Sequence, residues 1–344
     1  MKEKNKKVNI LIKGTFGSGA SAVHDLLKEY DNIAIVPYEF NDFCYPQMVG
    51  DCIEDDSLLN IPTQEYTHEI IRRYGPRGWV IADGKIKYAL KKRLLHAKAN
   101  GSFIMHLMPQ NIVDKINSLQ TDYNHRQNIE NLVKRNYLID KLLCDILKNN
   151  ITRSEKIEFS NNWIQNIGKI YAINKKQIFV LFDQPIVLGR HQDIWPEVFS
   201  PFKLIIVYRD PRDQIADLVK SNQIFMKHIT DDNNINAAIQ SNINYINEMI
   251  HGAEKIIEKI DSENVIMLSF ERFIKENELM TKKIISFLGI NEQNHIRKGL
   301  FLQPARSIKN IGYYEKYLTR DQQKLTDPLL VWYENKEKNN PFYN

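Results

Sequence analysis

Cysteine is scarce: Cys44, Cys52 and Cys144 are the only three in 344 residues. They fit no disulfide framework and no Cys/His metal spacing, and they read as buried free thiols of a reducing compartment. No stretch approaches the ~20 consecutive apolar residues of a membrane-spanning helix. The apolar run Val8 to Ile12 is too short for the core of a signal peptide, and Lys13 interrupts it. A cytoplasmic location follows as the expectation. A large excess of one charge is also missing, since 47 basic residues face 42 acidic ones for a net +5. That near-balance argues against a nucleic-acid protein while leaving room for a local basic pocket that takes a small anion. Internal repeats are absent, and bias in composition is confined to a lysine-rich arm over the first seven residues. No cluster of metal-ligating side chains stands out, so no metal is expected.

What remains is an ordinary globular composition, 43% hydrophobic and 26% charged, enough for a sizeable core. The chain opens with the β-branched run Val8–Ile12, a glycine-rich stretch, and the helically spaced Ala22, Val23, Leu26 and Leu27. A second apolar run, Asn32 to Val36, is closed by Pro37, which completes a βαβ unit. Further strand-like runs are Gln177–Phe182, Lys203–Tyr208 and Val265–Leu268. A helical pattern fills roughly 111–171, with Leu132, Leu138, Leu142, Leu143, Ile146 and Leu147 on one amphipathic face. The fold expected is α/β, a P-loop-like three-layer α/β/α arrangement with a mainly parallel sheet. It forms a single domain over residues 1–344, with 111–171 as a helical insertion.

The stretch Gly14-Thr15-Phe16-Gly17-Ser18-Gly19-Ala20-Ser21 lies between a predicted strand and a predicted helix. Glycines there permit positive φ and close backbone approach, so consecutive N–H groups can face an anion at a helix N-terminus. The loop nearly spells GxxxxGK[ST], but Ala20 stands at the lysine position. A neutral methyl cannot balance β- and γ-phosphates, which weakens an ATPase or kinase reading. Asp183, closing the third strand-like run, resembles a Walker B aspartate and keeps that reading open.

In Lys203-Leu-Ile-Ile-Val-Tyr-Arg-Asp-Pro-Arg-Asp213, a strand delivers Arg209 at its carboxyl end. Asp210 is placed to cap the helix that Pro211 starts. A guanidinium there suits phosphate recognition, or else it forms a structural ion pair with Asp213.

Taken together these segments resemble the sulfotransferases that use 3′-phosphoadenosine 5′-phosphosulfate (PAPS). Phe16 to Ser21 is similar to that family's 5′-phosphosulfate loop at Ser18, Gly19 and Ser21. Arg209 to Asp213 is similar to its 3′-phosphate motif throughout. Val265–Phe273 and Phe287-Leu288-Gly289-Ile290 are similar to its later strand and helix end. The resemblance implies PAPS as co-substrate and PAP as product, with no metal. It implies Gly14, Thr15, Gly17, Ser18, Gly19, Ala20, Ser21, Arg209 and Asp217 at the donor, with Arg306 and Lys309 in a loop closing over the nucleotide. Two positions depart from the pattern. Gly17 replaces a basic residue, and Asp217 replaces the serine that would meet the 3′-phosphate, where a carboxylate repels it.

Sulfuryl transfer to a hydroxyl calls for a general base and for donors that steady the sulfuryl oxygens. Ser18 supplies such a donor, and Glu39, just past the second strand, is the first choice for base. His106 and His191 are alternatives, and Lys85 and Lys87 are further candidate cations. Tyr38, Phe40, Phe43 and Tyr45 are placed either to stack on a saccharide acceptor or to pack internally. The alternatives to a sulfotransferase acting on a carbohydrate or small molecule are an atypical P-loop kinase or NTPase and a non-catalytic nucleotide-binding protein.

Overall fold

In the computed structural model, residues 7–15, 17–40, 43–44, 49–54, 151–221 and 232–343 are described, with scattered positions between 131 and 146. They divide into two compact units, one of residues 1–41, 174–192 and 201–344, the other of residues 42–173 and 193–200.

The first unit is built on five parallel strands: β1 Val8–Gly14, β2 Ile33–Glu39, β3 Phe179–Asp183, β4 Phe202–Tyr208 and β5 Val265–Ser269. Their order is β2-β3-β1-β4-β5. All five of the apolar runs seen in the sequence form strands, because a parallel sheet covered on both faces buries its residues. Ile10, Leu11 and Ile12 are each fully buried. One face carries Ile10, Ile12, Ile205, Val207 and Leu268 against helices Ser21–Leu27, Phe270–Lys275 and Asn277–Leu288. The opposite face includes Tyr208, which meets the Trp332 ring edge-on at 5.6 Å from helix Asp327–Asn339. The result is the three-layer α/β/α arrangement.

Two boundaries differ from the sequence reading. β2 does not stop at Pro37 but runs on to Glu39, with its register against β3 irregular between Ile35 and Glu39. Proline is tolerated because β2 is an edge strand with one ladder to satisfy. The first helix is shorter than its apolar pattern, ending at Leu27, and Tyr30 bridges to His295 instead.

In the second unit, helix Arg153–Tyr171 starts at a capping box in which Thr152 and Glu155 each accept the other's backbone N–H. Its Asn161 side chain reaches the carbonyls of Val198 and Ser200 at 2.9 and 2.8 Å, just past the short helix Trp195–Val198. Leu138, Leu142 and Ile146 are helical, whereas 111–130 and Leu132, Leu143 and Leu147 lie outside the described residues.

β1 occupies the middle of the sheet, and the chain moves to one side of it for β2 and β3 and to the other for β4 and β5. That reversal opens a crevice beyond the carboxyl end of β1, where α/β sheets hold ligands. The ends of the strands stand in a row there: Glu39, Asp183, Gly14, Tyr208 and Ser269. Ile205 is fully buried on β4, next to the central strand β1. Ile205→Ala is expected to lower unfolding free energy by about 2–5 kcal/mol, read by urea denaturation with an unchanged m-value.

Candidate functional site

The glycine loop is folded back on itself. Gly17 and Gly19 lie at φ of 71° and 76°, and a Cβ on Gly19 would come within 2.5 Å of the Phe270 ring. Only glycine meets both demands, a left-handed backbone and an aromatic ring against it. Ser18 is 2% exposed; its N–H donates to the Thr15 carbonyl at 2.9 Å, and its hydroxyl meets no partner. A dry, unpartnered hydroxyl costs about 1–3 kcal/mol, a deficit that a bound oxyanion removes. The N–H groups of Gly17 and Gly19 likewise meet no acceptor among the described residues.

The remaining loop residues divide by role. Thr15 is turned inward, where its Oγ1 and carbonyl both accept from Gln214 Nε2, at 3.2 and 3.4 Å. Gly14 ends β1 and donates its N–H to Gln184 Oε1 at 3.3 Å. Ala20 is buried in the hydrophobic core. The lysine position of the ATP loop therefore points away from any ligand. Ser21 is exposed at the first turn of the helix, which has no side-chain cap.

Arg209 stands beside this loop, 2% exposed. Its Nη1 donates to the Gly17 carbonyl at 3.1 Å and to Asp217 Oδ2 at 2.8 Å, and its Nη2 donates to the Asn310 carbonyl at 2.6 Å. The guanidinium lies 5.1 Å from the centre of the Phe270 ring. The ion pair therefore runs to Asp217, not to Asp213. Asp213 accepts the N–H groups of Gly312 and Tyr314 at 2.8 and 3.0 Å and so anchors the segment that follows Asn310. Asp210 takes the N–H of Arg212 at 2.9 Å, the capping contact expected of it. Asp217 itself is 42% exposed at the side chain, open to competition from a solute anion.

Glu271 is a site residue that sequence reasoning missed. Its carboxylate accepts the Asp210 N–H at 3.1 Å, the Ser269 hydroxyl at 3.2 Å and the Tyr333 hydroxyl at 3.1 Å. Burial pushes its pKa up to about 7 against the opposing pull of the backbone hydrogen bonds. It fixes the turn that carries Arg209. The available signal was an acid directly after a strand-like apolar run, where a polar side chain has backbone ends to satisfy.

At the other end of the row, Glu39 is exposed and paired in register with Asp183. Burial, then the charge of Glu39, pushes Asp183 up to about 6, against Lys13 and Lys28. Arg306 and Lys309 are exposed, on the segment whose Asn310 reaches Arg209. His191 is buried at a φ of 51°. Phe40 and Phe43 are packing residues, fully or nearly buried and edge-on to Phe182 and Phe199 at 4.8 and 5.5 Å. They leave no ring face for a saccharide. Lys85, Lys87, His106, Tyr45 and the side chain of Tyr38 lie outside the described residues.

Residues 149–294, which hold β3 to β5, the Arg209 turn and Glu271, match the sulfotransferase family. Three solved structures align with this chain. The sulfotransferase domain of the Synechococcus PCC 7002 olefin synthase is 11% identical, with 96% of this chain and 97% of that one covered and a TM-score of 0.45. The sulfotransferase domain from the curacin biosynthetic pathway is 10% identical, with 94% and 97% covered and a TM-score of 0.45. Sulfotransferase STF9 from Mycobacterium avium is 12% identical, with 96% and 77% covered and a TM-score of 0.42. No curated protein sequence matches.

The Gly19–Phe270 contact gives a direct check on the loop. Gly19→Ala is expected to cost about 1–3 kcal/mol from backbone strain alone, with the ring clash added. Thermal unfolding should show the loss, and Phe270→Leu should restore part of it by giving the methyl room.

Proposed function

We propose that this chain transfers a sulfuryl group from PAPS to a hydroxyl or amine of a saccharide or other small-molecule acceptor, releasing PAP. The observation that carries the proposal is the buried, unpartnered Ser18 hydroxyl inside a glycine loop at the switch point of a chain whose residues 149–294 match the sulfotransferase family. PAPS, when bound, supplies an activated sulfuryl group whose leaving group is a phosphate.

The loop is suited to the phosphosulfate. Ser18 Oγ and the N–H groups of Gly17, Gly19, Ala20 and Ser21 are donors fixed in advance, and such donors steady charge as it develops without reorganising. Arg209 touches the loop at the Gly17 carbonyl, and an incoming phosphate must compete with Asp217 for it. Arg306 and Lys309 add positive charge from the segment that already touches Arg209. A carboxylate at the β2–β3 end of the row takes the acceptor proton, with Glu39 the more accessible of the two. Among the described residues, no group of three metal-ligating side chains is close enough to hold an ion, and no helix is long and apolar enough to cross a membrane. The cytoplasmic location is part of the same proposal and is supported by the scarcity of cysteine, three in the whole sequence.

Calorimetry with PAP and with ATP–Mg²⁺ tests the reading. PAP is expected to bind, and Ser18→Ala to weaken it by about tenfold or more, the loss of one hydrogen bond to a charged oxygen. Binding of ATP–Mg²⁺ with none of PAP would replace this reading with that of an atypical P-loop kinase or NTPase. Binding of PAP without turnover on any acceptor would leave a nucleotide-binding protein.

A further inference from the structure

We propose that Asp183 takes the proton from the acceptor, and that Glu39, its register partner on β2, serves to keep Asp183 basic. The inference rests on the sulfuryl-transfer reading and moves the proton acceptor one strand inward from Glu39.

Three observations converge on Asp183. It ends β3, the strand between β2 and β1, so it stands between Glu39 and the glycine loop in the row of strand ends. Its place is fixed from both sides. The residue after it, Gln184, donates its N–H to the Ile12 carbonyl at 2.8 Å and takes the Gly14 N–H, while the Asp183 carbonyl accepts from Phe40 N at 2.7 Å. Finally, Asp183 Oδ1 is buried and has no hydrogen-bond partner. Carboxylates held for structural reasons are normally paired, as Glu271, Asp213 and Asp210 are in this same sheet. Asp183 is the acid at the strand ends whose oxygen is left without a donor.

Its surroundings favour a base over a bystander. The charged groups facing it are Glu39 from β2, Lys13 from β1, and Asp25 and Lys28 from the helix Ser21–Leu27. Burial and the two acids hold the group near 6, close to neutral pH and well above an ordinary aspartate. A base is most effective where it is still ionised yet basic enough to hold a proton. Glu39 is exposed to solvent. Two neighbouring carboxyls pushed apart by environment commonly divide such roles.

The step balances. The acceptor O–H proton passes to the Asp183 carboxylate while the acceptor oxygen forms a bond to sulfur. The bond from sulfur to the bridging phosphate oxygen breaks, and its electron pair leaves with PAP.

Full-length wild type, Asp183→Asn, Asp183→Glu and Glu39→Gln are compared for PAPS consumption, with water as the acceptor of last resort, and for PAP affinity. Asp183→Asn should lose about 10²–10⁴-fold in kcat, the usual share of general-base catalysis, with PAP affinity held within about twofold. Asp183→Glu should recover part of the rate. Glu39→Gln should shift the acid limb of the pH–rate profile to lower pH, since a like charge beside Asp183 is gone. The inference is overturned if Asp183→Asn turns over as wild type does, or if it loses rate and PAP affinity together. Carboxyl ¹³C titration of Asp183 in the ligand-free chain provides a reading independent of turnover. A midpoint near 6 that falls in Glu39→Gln is expected, and an ordinary aspartate midpoint of about 4 overturns the inference. Failure of the donor reading shows separately, as wild-type protein that does not bind PAP.

Discussion

The candidate site depends on a buried positive charge. Arg209 is almost wholly removed from solvent, and a guanidinium so placed must have its donors met or it costs several kcal/mol. Its partners come from three separate stretches of chain: the Gly17 carbonyl of the first loop, the Asp217 carboxylate two turns along its own helix, and the Asn310 carbonyl of the late segment. Meeting the needs of its two terminal nitrogens, while Nε stays without a partner, brings together the loop after β1, the turn after β4 and residues a hundred positions further on. Phe270, from the helix after β5, lies against both the guanidinium and Gly19. Glu271, next in sequence, accepts the N–H of Asp210 and fixes the turn from behind. Burial, with the charge of Asp210 behind it, pushes Glu271 toward protonation, and the backbone donors and Arg209 oppose that push. The acid and the arginine therefore support each other through the backbone of one turn.

Much of this framework could be read from the chain alone. The strands were legible because a doubly covered parallel sheet demands continuous apolar runs, and Val8–Ile12, Lys203–Tyr208 and Val265–Leu268 supply them. The loop was legible because its glycines fall at a strand-to-helix junction, and the φ values of Gly17 and Gly19 bear out that reading. Partners were much less legible. Nothing in the spacing of Arg209, Asp213 and Asp217 says which acid meets the arginine, since positions four and eight residues on share a helix face. Helix entry geometry decided it: Asp213 is consumed by Gly312 and Tyr314, contacts far away in sequence. Phe40 and Phe43 show the same limit. An aromatic cluster reads alike whether it stacks on a ligand or fills a core, and only their burial distinguishes the two.

The departures from the family pattern at Gly17 and Asp217 become related once the contacts are known. A basic side chain at position 17 would bring a second cation beside Arg209, and here that position offers a carbonyl instead. Asp217 supplies the negative charge that the lone arginine then requires. The two replacements keep the local charge balanced without a ligand, so the apo site is electrostatically settled. The sequence treats them as separate losses, whereas the structure makes them one exchange.

Such a balance bears on how an anion enters. Asp217 is partly exposed while Arg209 is not, so the carboxylate is the member of the pair that can yield to solvent. A phosphate arriving at the loop mouth replaces one negative partner of Arg209 with another, and its net gain is the difference between two ion pairs, not the full strength of one. The Ser18 hydroxyl and the free N–H groups of Gly17 and Gly19 face no internal competitor among the described residues. Their hydrogen bonds are formed at little cost to existing ones. Affinity in this site must therefore come more from the backbone and hydroxyl of the loop than from its arginine, whose main work is holding the loop in shape.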